Sequence, residues 1–222
     1  INIAINKEYI EIQKYAFRKY KIKTVENKHT HLVPEELEQL ERLSLTDKHM
    51  KLQKSLDAFL FCCYAGMRYS DFTNLSKKNI VDINQETWLI YKSVKTGTEV
   101  RLPLYLLFAG KGIVILNKYR NNLEDFFRLR DNSNINKDLI IIAKLAGLSK
   151  KISFHTARHT NATLLIYNGV NITTVQKLLG HKSVKTTQVY TNIMDMTIVH
   201  DLEKIKQAAL GIKKKTDNSF NK

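Results

Sequence analysis

The chain has 222 residues, of which 43% are hydrophobic and 26% charged, and this composition is typical of a globular domain rather than a disordered chain. No apolar run approaches the roughly 18 residues that a membrane span requires. Its 36 Lys and Arg against 21 Asp and Glu give a net charge of +15, which favours a polyanionic partner and nucleic acid first, although ribosomal, membrane-surface and heparin-binding proteins share this feature.

Residues 1–28 mix Ile with Lys and lack a long helical stripe, so we expect a linker or arm that enters from a preceding domain. A globular domain is expected over 29–194. Its first helix begins at Pro34, a residue favoured at the first helical position, with acidic residues in the first turn. The core face of this helix carries Leu37, Leu40 and Leu43.

A second helix is predicted over about 49–64 from apolar residues at helical spacing, and Gly66 marks its end. Cys62 and Cys63 are adjacent within it and are expected to be buried core thiols, because adjacent cysteines form neither a disulfide framework nor a zinc ribbon. Arg68 follows the glycine, and Asp71 lies three residues further on, at the start of a short helix.

Between residues 79 and 104 the apolar period shifts towards two, which predicts a small antiparallel sheet of two or three strands. Lys95 occupies the tip of a hairpin or the strand that enters it, where a long side chain could reach a bound ligand. A solvated turn lysine is the ordinary interpretation of such a residue, and Lys92 is a competing candidate.

Residues 105–119 are predicted to be helical, 120–134 to form a polar connection anchored by Phe, and about 134–147 to form another helix that stops at a glycine. Ser153 can then cap a helix that begins at His155 and runs to Tyr167. Three-residue spacing puts His155 and Arg158 on one helical face.

Asn171 can cap the next helix, which ends at Gly180, and Ser183 can cap a short third helix that carries Tyr190. Two short helices around a glycine also describe a helix-turn-helix, which would bind DNA without catalysis. The segment 195–222 is expected to contain an amphipathic helix over 195–209 and a basic, disordered tail.

These residue types suit phosphoryl transfer. Arg68 and Arg158 would neutralise the non-bridging oxygens of a phosphodiester, because the guanidinium is planar, permanently charged and able to bind phosphate bidentately. Tyr190 would be the covalent nucleophile, and Lys95 would protonate the leaving 5′-hydroxyl.

The remaining polar residues have supporting roles. Asp71 would hold an arginine in place, and His155 and His181 would bind phosphate oxygens or handle the tyrosine proton. We expect His159 to pack or hydrogen-bond behind the site. A zinc site built on His155, His159 and His181 is a weaker alternative, because Arg158 would place a cation beside the metal and the glutamate of the H-E-x-x-H motif is missing. We therefore predict neither a metal nor a cofactor.

Four motifs occur in the order and with the spacing of one family: AGMRYSDFTNL, KTGTEVRLPL, HTARH and LLGHKSVKTTQVY. Over residues 66–190 the chain resembles the catalytic domain of the tyrosine recombinases, also called phage-type integrases. The resemblance implies a mainly α (α+β) fold, largely helical with a small antiparallel sheet on one side. It also implies that a scissile phosphate is surrounded by Arg68, Lys95, His155, Arg158 and His181, with Asp71 at an acidic position of the family and Tyr190 forming a 3′-phosphotyrosyl bond.

The resemblance further implies a site-specific recombinase that acts on double-stranded DNA, as a homo-tetramer joined through the C-terminal helix. We expect integration and excision of a mobile element, with possible accessory DNA-bending proteins and no membrane partner, in the nucleoid of a bacterial cytoplasm. Two alternatives are a catalytically silent DNA-binding regulator with the same fold and a topoisomerase-like enzyme that nicks and reseals DNA.

Overall fold

The computed structural model describes residues 2–9, 11–14 and 30–190. The expected linker over 1–28 is thus described only in part, as a short helix α1 (Asn2–Asn6) and a 3₁₀ turn (Ile12–Lys14). The amphipathic helix expected over 195–209 lies outside the described residues. Within the described ranges, every helix is too short or too polar to cross a membrane.

The described part of the chain is mostly helical, with one three-stranded antiparallel sheet, which confirms the predicted fold class. Short 3₁₀ segments lie at Asp47–Leu52, Lys77–Asn79 and Leu107–Gly110. The elements that follow α1 are, in chain order, α2 (Pro34–Glu41), α3 (Gln53–Ala65), α4 (Tyr69–Thr73), β1 (Ile80–Ile83), β2 (Glu86–Lys92), β3 (Glu99–Pro103), α5 (Lys111–Lys118), α6 (Leu123–Phe127), α7 (Asn132–Leu145), α8 (Phe154–Tyr167), α9 (Ile172–Leu179) and α10 (Lys185–Gln188).

Helix α3 is the centre of the domain. Every residue from Ser55 to Ala65 is buried, as expected for a helix surrounded by others. It packs against α8 along its length and against α5 and α7 on other sides. Since α8 is also buried from Thr156 to Ile166, the two helices form a rigid pair on which the site is built.

The sheet lies at one side of the helices. Strand β2 pairs antiparallel with β1 and with β3, and Tyr91 of β2 is opposite Val100 of β3. Strand β3 contacts α9, and Val100 is buried there. The hairpin between β2 and β3 is therefore held close to the C-terminal end of α9.

Several sequence-based boundaries were wrong. The helix predicted over 105–119 begins only at Lys111, after the 3₁₀ segment Leu107–Gly110. The second helix begins at Gln53 rather than near 49, because Asp47–Leu52 forms a 3₁₀ turn first. The stretch 120–134 contains helix α6, whose Phe126 and Phe127 are both buried in the core. Tyr190 lies two residues beyond α10 rather than inside it, although its N–H still donates to Thr187 O at 3.1 Å.

Two helices end at glycines whose backbone is left-handed. Gly66 ends α3 with φ of +67°, and Gly180 ends α9 with φ of +63°. Space is as restrictive as the torsion angle, since a Cβ on Gly66 would lie 2.6 Å from Asn161 Oδ1 and 2.8 Å from Leu179 Cδ2. The α3 end, α8 and α9 therefore meet at a point where a side chain does not fit.

We expect Gly66→Ala to lower the free energy of unfolding by at least about 2 kcal/mol more than Gly147→Ala does. Both glycines have positive φ, but a Cβ at Gly147 would meet nothing within 4 Å, so that variant reports the torsional cost alone, about 1 kcal/mol. Urea unfolding followed by the fluorescence of Trp88, the single tryptophan, measures both. Equal losses would show that the contact with Asn161 and Leu179 does not constrain position 66.

Candidate active site

The site begins where α8 crosses the C-terminal end of α3. Asn161, 2% exposed, donates from Nδ2 to Cys63 O at 2.9 Å and to Tyr64 O at 3.0 Å. These carbonyls belong to the last turn of α3, which lacks helical partners for its C=O groups. A side chain of α8 thus completes the end of α3 and fixes the two helices in register.

Arg158, one turn before Asn161 in α8, also bonds to the end of α3 and joins it to the end of α9. It is 1% exposed, and its guanidinium donates from Nη1 to Gly66 O at 2.8 Å and from Nη2 to Leu179 O at 2.6 Å. Burial, with a further contribution from the charge of Arg68, lowers the pKa of Arg158 to about 10. The side chain remains a cation at neutral pH, with further N–H donors beyond the two used for these carbonyls.

Arg68 precedes α4 and is held by two buried groups. Its Nη1 lies 3.2 Å from Ser93 Oγ and 3.4 Å from Asp71 Oδ2, and its side chain is 15% exposed. The carboxylate of Asp71 is fully buried, and its Oδ1 also accepts from Val94 N–H at 2.8 Å. Asp71 therefore joins Arg68 to the start of the β2–β3 turn.

Lys95 lies on that turn and is exposed. Its neighbour Thr96 donates from Oγ1 to Gly180 O at 3.2 Å, which anchors the turn to the end of α9 next to His181. Lys92, at the end of β2, is also exposed. The turn is thus adjacent to the arginine cluster through both Asp71 and Gly180, and Lys95 lies at its tip.

His181 directly follows the Gly180 turn and is 8% exposed. Its Nδ1 lies 2.9 Å from the hydroxyl of Thr187 in α10. Burial lowers the pKa of His181 from 6.5 to about 4, and the positive charges of Arg158, Arg68 and His155 act in the same direction. The imidazole is therefore neutral at pH 7.

The other two histidines lie on α8. His155 is exposed in the first turn, where the side-chain hydroxyl of Thr156 accepts from Ser153 N–H at 3.1 Å and closes the start of the helix. The rings of His155 and His159 meet edge to face with centroids 4.4 Å apart. His159 is 7% exposed, and its Nδ1 lies 3.0 Å from the hydroxyl of Tyr190.

Tyr190 is buried, with 4% of its surface exposed. Burial raises the pKa of its phenol, and the nearby charges of Arg158 and Arg68 oppose that increase. The phenol is therefore protonated at neutral pH, and an attack through its oxygen needs a group that takes the proton.

The structure thus gathers Arg68, Arg158, His181 and Tyr190 into one region from four separate parts of the sequence, with Asp71 behind Arg68. The charges of both arginines act on His181 and on Tyr190. His155 and Lys95 lie at the exposed margins of this region, on the α8 side and on the hairpin side.

Several polar groups that hold the site together were not among the residues predicted from the sequence. The contacts are those of Ser93 with Arg68, Thr96 with Gly180 and Thr187 with His181. Isolated Ser and Thr residues carry no sequence signal before their partners are known.

Tyr91 is a further residue near the site that the sequence did not indicate. Its hydroxyl is buried without a hydrogen-bond partner in the described part of the protein, and the charges of Asp71, Arg158 and Arg68 act on it while burial raises its pKa.

The zinc alternative required His155, His159 and His181 to converge on a metal. Among residues 2–9, 11–14 and 30–190, no three His, Cys, Asp or Glu side chains are grouped closely enough to hold a metal ion. The two histidine nitrogens with described partners face hydroxyl groups instead, Nδ1 of His159 facing Tyr190 and Nδ1 of His181 facing Thr187.

Comparison with known proteins gives a family match. Residues 30–196 match the phage integrase family. A tyrosine recombinase of Pseudothermotoga lettingae is 30% identical over 181 residues, which cover 79% of this chain and 60% of the relative. Tyrosine recombinase XerD of Bifidobacterium longum is 50% identical over 171 residues, which cover 69% of this chain and 54% of the relative.

A solved structure shares the fold. It is a dimer of lambda integrase residues 75–356 bound to a COC′ core site, with a TM-score of 0.65 at 20% sequence identity, and the match covers 85% of this chain and 68% of that one. At this identity the likeness supports the fold alone. The chain spans about half the length of the curated relatives that it matches.

We expect the stability of the chain to fall between pH 6.5 and pH 4 because of His181. An unfolded histidine takes up a proton near pH 6.5, whereas folded His181 does so only near pH 4. The unfolded state therefore binds more protons in this window, and the stabilisation that is complete above pH 6.5 is lost as the pH falls, by up to about 3 kcal/mol. Urea unfolding at several pH values measures this loss.

The matched control is His181→Asn, which keeps a hydrogen-bond acceptor for Thr187 but does not titrate. Other acid-sensitive groups affect both proteins equally, so the difference between the two pH profiles isolates His181. Parallel profiles would contradict the depressed pKa.

Proposed function

The chain belongs to the phage integrase family, and from this premise we propose that it is the catalytic part of a site-specific DNA recombinase that cleaves and rejoins strands through a 3′-phosphotyrosyl intermediate. One observation carries the proposal: the hydroxyl of Tyr190 is buried within the electrostatic reach of two arginines that arrive from distant parts of the chain. A phenol among cations is suited to attack a phosphodiester, because the cations attract the phosphate and stabilise a phenolate.

Arg68 and Arg158 are proposed to bind the non-bridging oxygens of the scissile phosphate. Their attachments favour preorganisation, since Arg158 is fixed by two carbonyls and Arg68 by Asp71 and Ser93. Donors that are already in place at the moment of reaction stabilise the charge that grows on phosphorus without reorganising. Asp71 therefore acts on the phosphate only through Arg68.

The histidines are proposed to complete the phosphate contacts. When the Thr187 hydroxyl donates to Nδ1 of His181, the proton of the neutral imidazole is on Nε2, which can then donate to a phosphate oxygen. The depressed pKa keeps His181 in this neutral form. His155, at the exposed start of α8, is proposed to donate to the same phosphate near the N-terminus of that helix.

Lys95 is proposed as the general acid that protonates the departing 5′-oxygen. The turn that carries it is tethered beside the site through Thr96 and Gly180, while its own side chain extends into solvent. A tethered turn with an exposed lysine suits a group that must reach the DNA once it has bound. Lys92 remains the alternative donor because it is exposed on the same hairpin.

Double-stranded DNA is the proposed partner, consistent with the net charge of +15. We also propose the division into a linker over 1–28, a catalytic domain over 29–194 and a C-terminal helix with a basic tail over 195–222. The tail helix would join four copies into a synaptic tetramer, with accessory DNA-bending proteins where the site requires them. Integration and excision of a mobile element in a bacterial nucleoid is the proposed biological role.

The nucleophile is tested by trapping its covalent product. We expect the chain, incubated with a pool of nicked duplexes of randomised sequence, to form adducts that survive denaturation and lose their DNA mobility shift after protease treatment. Tyr190→Phe should abolish the adduct and retain DNA binding, because only the attacking oxygen is removed. An adduct that persists in Tyr190→Phe would reject the assignment, and DNA binding without any adduct would favour the silent regulator.

The role of Arg68 is tested against an arginine outside the site. We expect Arg68→Ala to slow adduct formation by at least about a hundredfold, as loss of one preorganised phosphate donor does. Arg101→Ala is the control, because Arg101 is about half exposed on β3 and pairs only weakly with Glu99. Quantified gel bands at equal DNA occupancy measure both rates, and equal rates in the two variants would remove Arg68 from the mechanism.

A further inference from the structure

His159 has the closest described contact with the proposed nucleophile. Its Nδ1 is 3.0 Å from the Tyr190 hydroxyl, and the two rings are 5.5 Å apart. Both side chains are buried, with 7% and 4% of their surfaces exposed. This hydrogen bond links the middle of α8 to the segment after α10, 31 residues later in the chain.

The hydrogen bond between His159 and Tyr190 is suited to proton transfer from the phenol to the imidazole. In the tautomer that has its proton on Nε2, Nδ1 of His159 is an acceptor, so the phenol of Tyr190 donates to it. A buried phenol needs a nearby base when its oxygen attacks. Nδ1 of His181 already faces Thr187 at 2.9 Å, whereas Nδ1 of His159 faces the phenol itself.

We propose that His159 is the general base that takes the proton of Tyr190 during strand cleavage. The assignment rests on the proposed function, and it replaces the role in proton transfer first considered for His155 and His181. As the phenol oxygen bonds to phosphorus, its proton moves to Nδ1 of His159. The bond from phosphorus to O5′ breaks, and O5′ takes a proton from Lys95. Resealing runs the same transfers in reverse, so the reaction consumes no co-reactant.

The electrostatic cost of a proton on His159 depends on whether DNA is bound. Arg158 precedes His159 on α8, and the rings of His155 and His159 meet edge to face. The charges of Arg68 and Arg158 both act on Tyr190, to which Nδ1 of His159 is hydrogen-bonded. Without an anion, the two arginine charges disfavour a further positive charge nearby. A phosphate held by both arginines offsets their charge, so a proton on His159 costs less electrostatic free energy when DNA is bound.

The test separates proton transfer from positioning. His159→Asn places Oδ1 near the position of Nδ1 and keeps an acceptor for Tyr190, but it does not take up a proton. His159→Phe removes both functions and keeps the ring volume. Rates of covalent adduct formation are measured from pH 6 to pH 9 with the pool of nicked duplexes, at DNA concentrations that saturate each protein. Trp88 fluorescence and DNA affinity show whether each variant is folded and competent to bind.

For a general base we expect His159→Asn to react at least about a hundredfold more slowly than the parent chain at pH 7. The deficit should shrink as the pH rises, because hydroxide then removes the phenol proton. If the Asn variant restores the parent rate, or if its deficit is the same at every pH, His159 only positions Tyr190 and the proposal is wrong. If the parent chain forms no adduct at any pH, the proposed recombinase function itself is wrong. If the parent chain forms the adduct and substitution of His159 leaves its rate unchanged, only the role of His159 is wrong.

Discussion

The arrangement of the site depends on the buried guanidinium of Arg158. It donates to the carbonyls of Gly66 and Leu179, which lie where α3 and α9 end. Arg68 follows the first carbonyl by two residues, and His181 follows the second by two residues, so one side chain sets the separation of two candidate phosphate ligands. Its loss would leave two buried carbonyls unpaired at about 1–3 kcal/mol each. Arg158 therefore has a structural role that precedes any role on DNA, and substitutions there report both.

Glycine at both helix ends makes this arrangement possible. The left-handed backbone at Gly66 and at Gly180 turns the chain sharply after each helix. Neither position has room for a Cβ, which would lie 2.6 Å from Asn161 at Gly66 and 2.7 Å from Val100 at Gly180. The tight packing brings a charged or titratable residue directly behind each turn. Among residues 30–190, the carboxylate of Asp71 pairs with Arg68 and its charge acts on Arg158, and this carboxylate is fully buried. The excess positive charge thus remains available to an anion.

The sequence predicted those features that local physics determines. Helix caps, glycine ends, the alternation of the β-hairpin and the family motifs are local signals, and they predict the fold and the candidate residues. Predictions failed where tertiary packing determines the local structure. The stretch 120–134 was predicted to be a polar connection, but it contains α6, because Phe126 and Phe127 pack into the core. The pairing of His159 with Tyr190 spans 31 residues, and the link through Ser93 spans 25, so neither has a periodicity that sequence analysis could detect. His159 was expected to be a supporting residue, and only its distance to the phenol suggested chemistry.

The proposed nucleophile, Tyr190, is joined to the rest of the site by weak interactions. Helix α10 has four residues and contacts α9. Thr187 of α10 is hydrogen-bonded to His181, and Tyr190, two residues beyond the helix, is hydrogen-bonded to His159. Each such bond contributes about 0.5–1.5 kcal/mol net. Tyr190 is therefore held less firmly than Arg158, whose guanidinium donates to two buried backbone carbonyls.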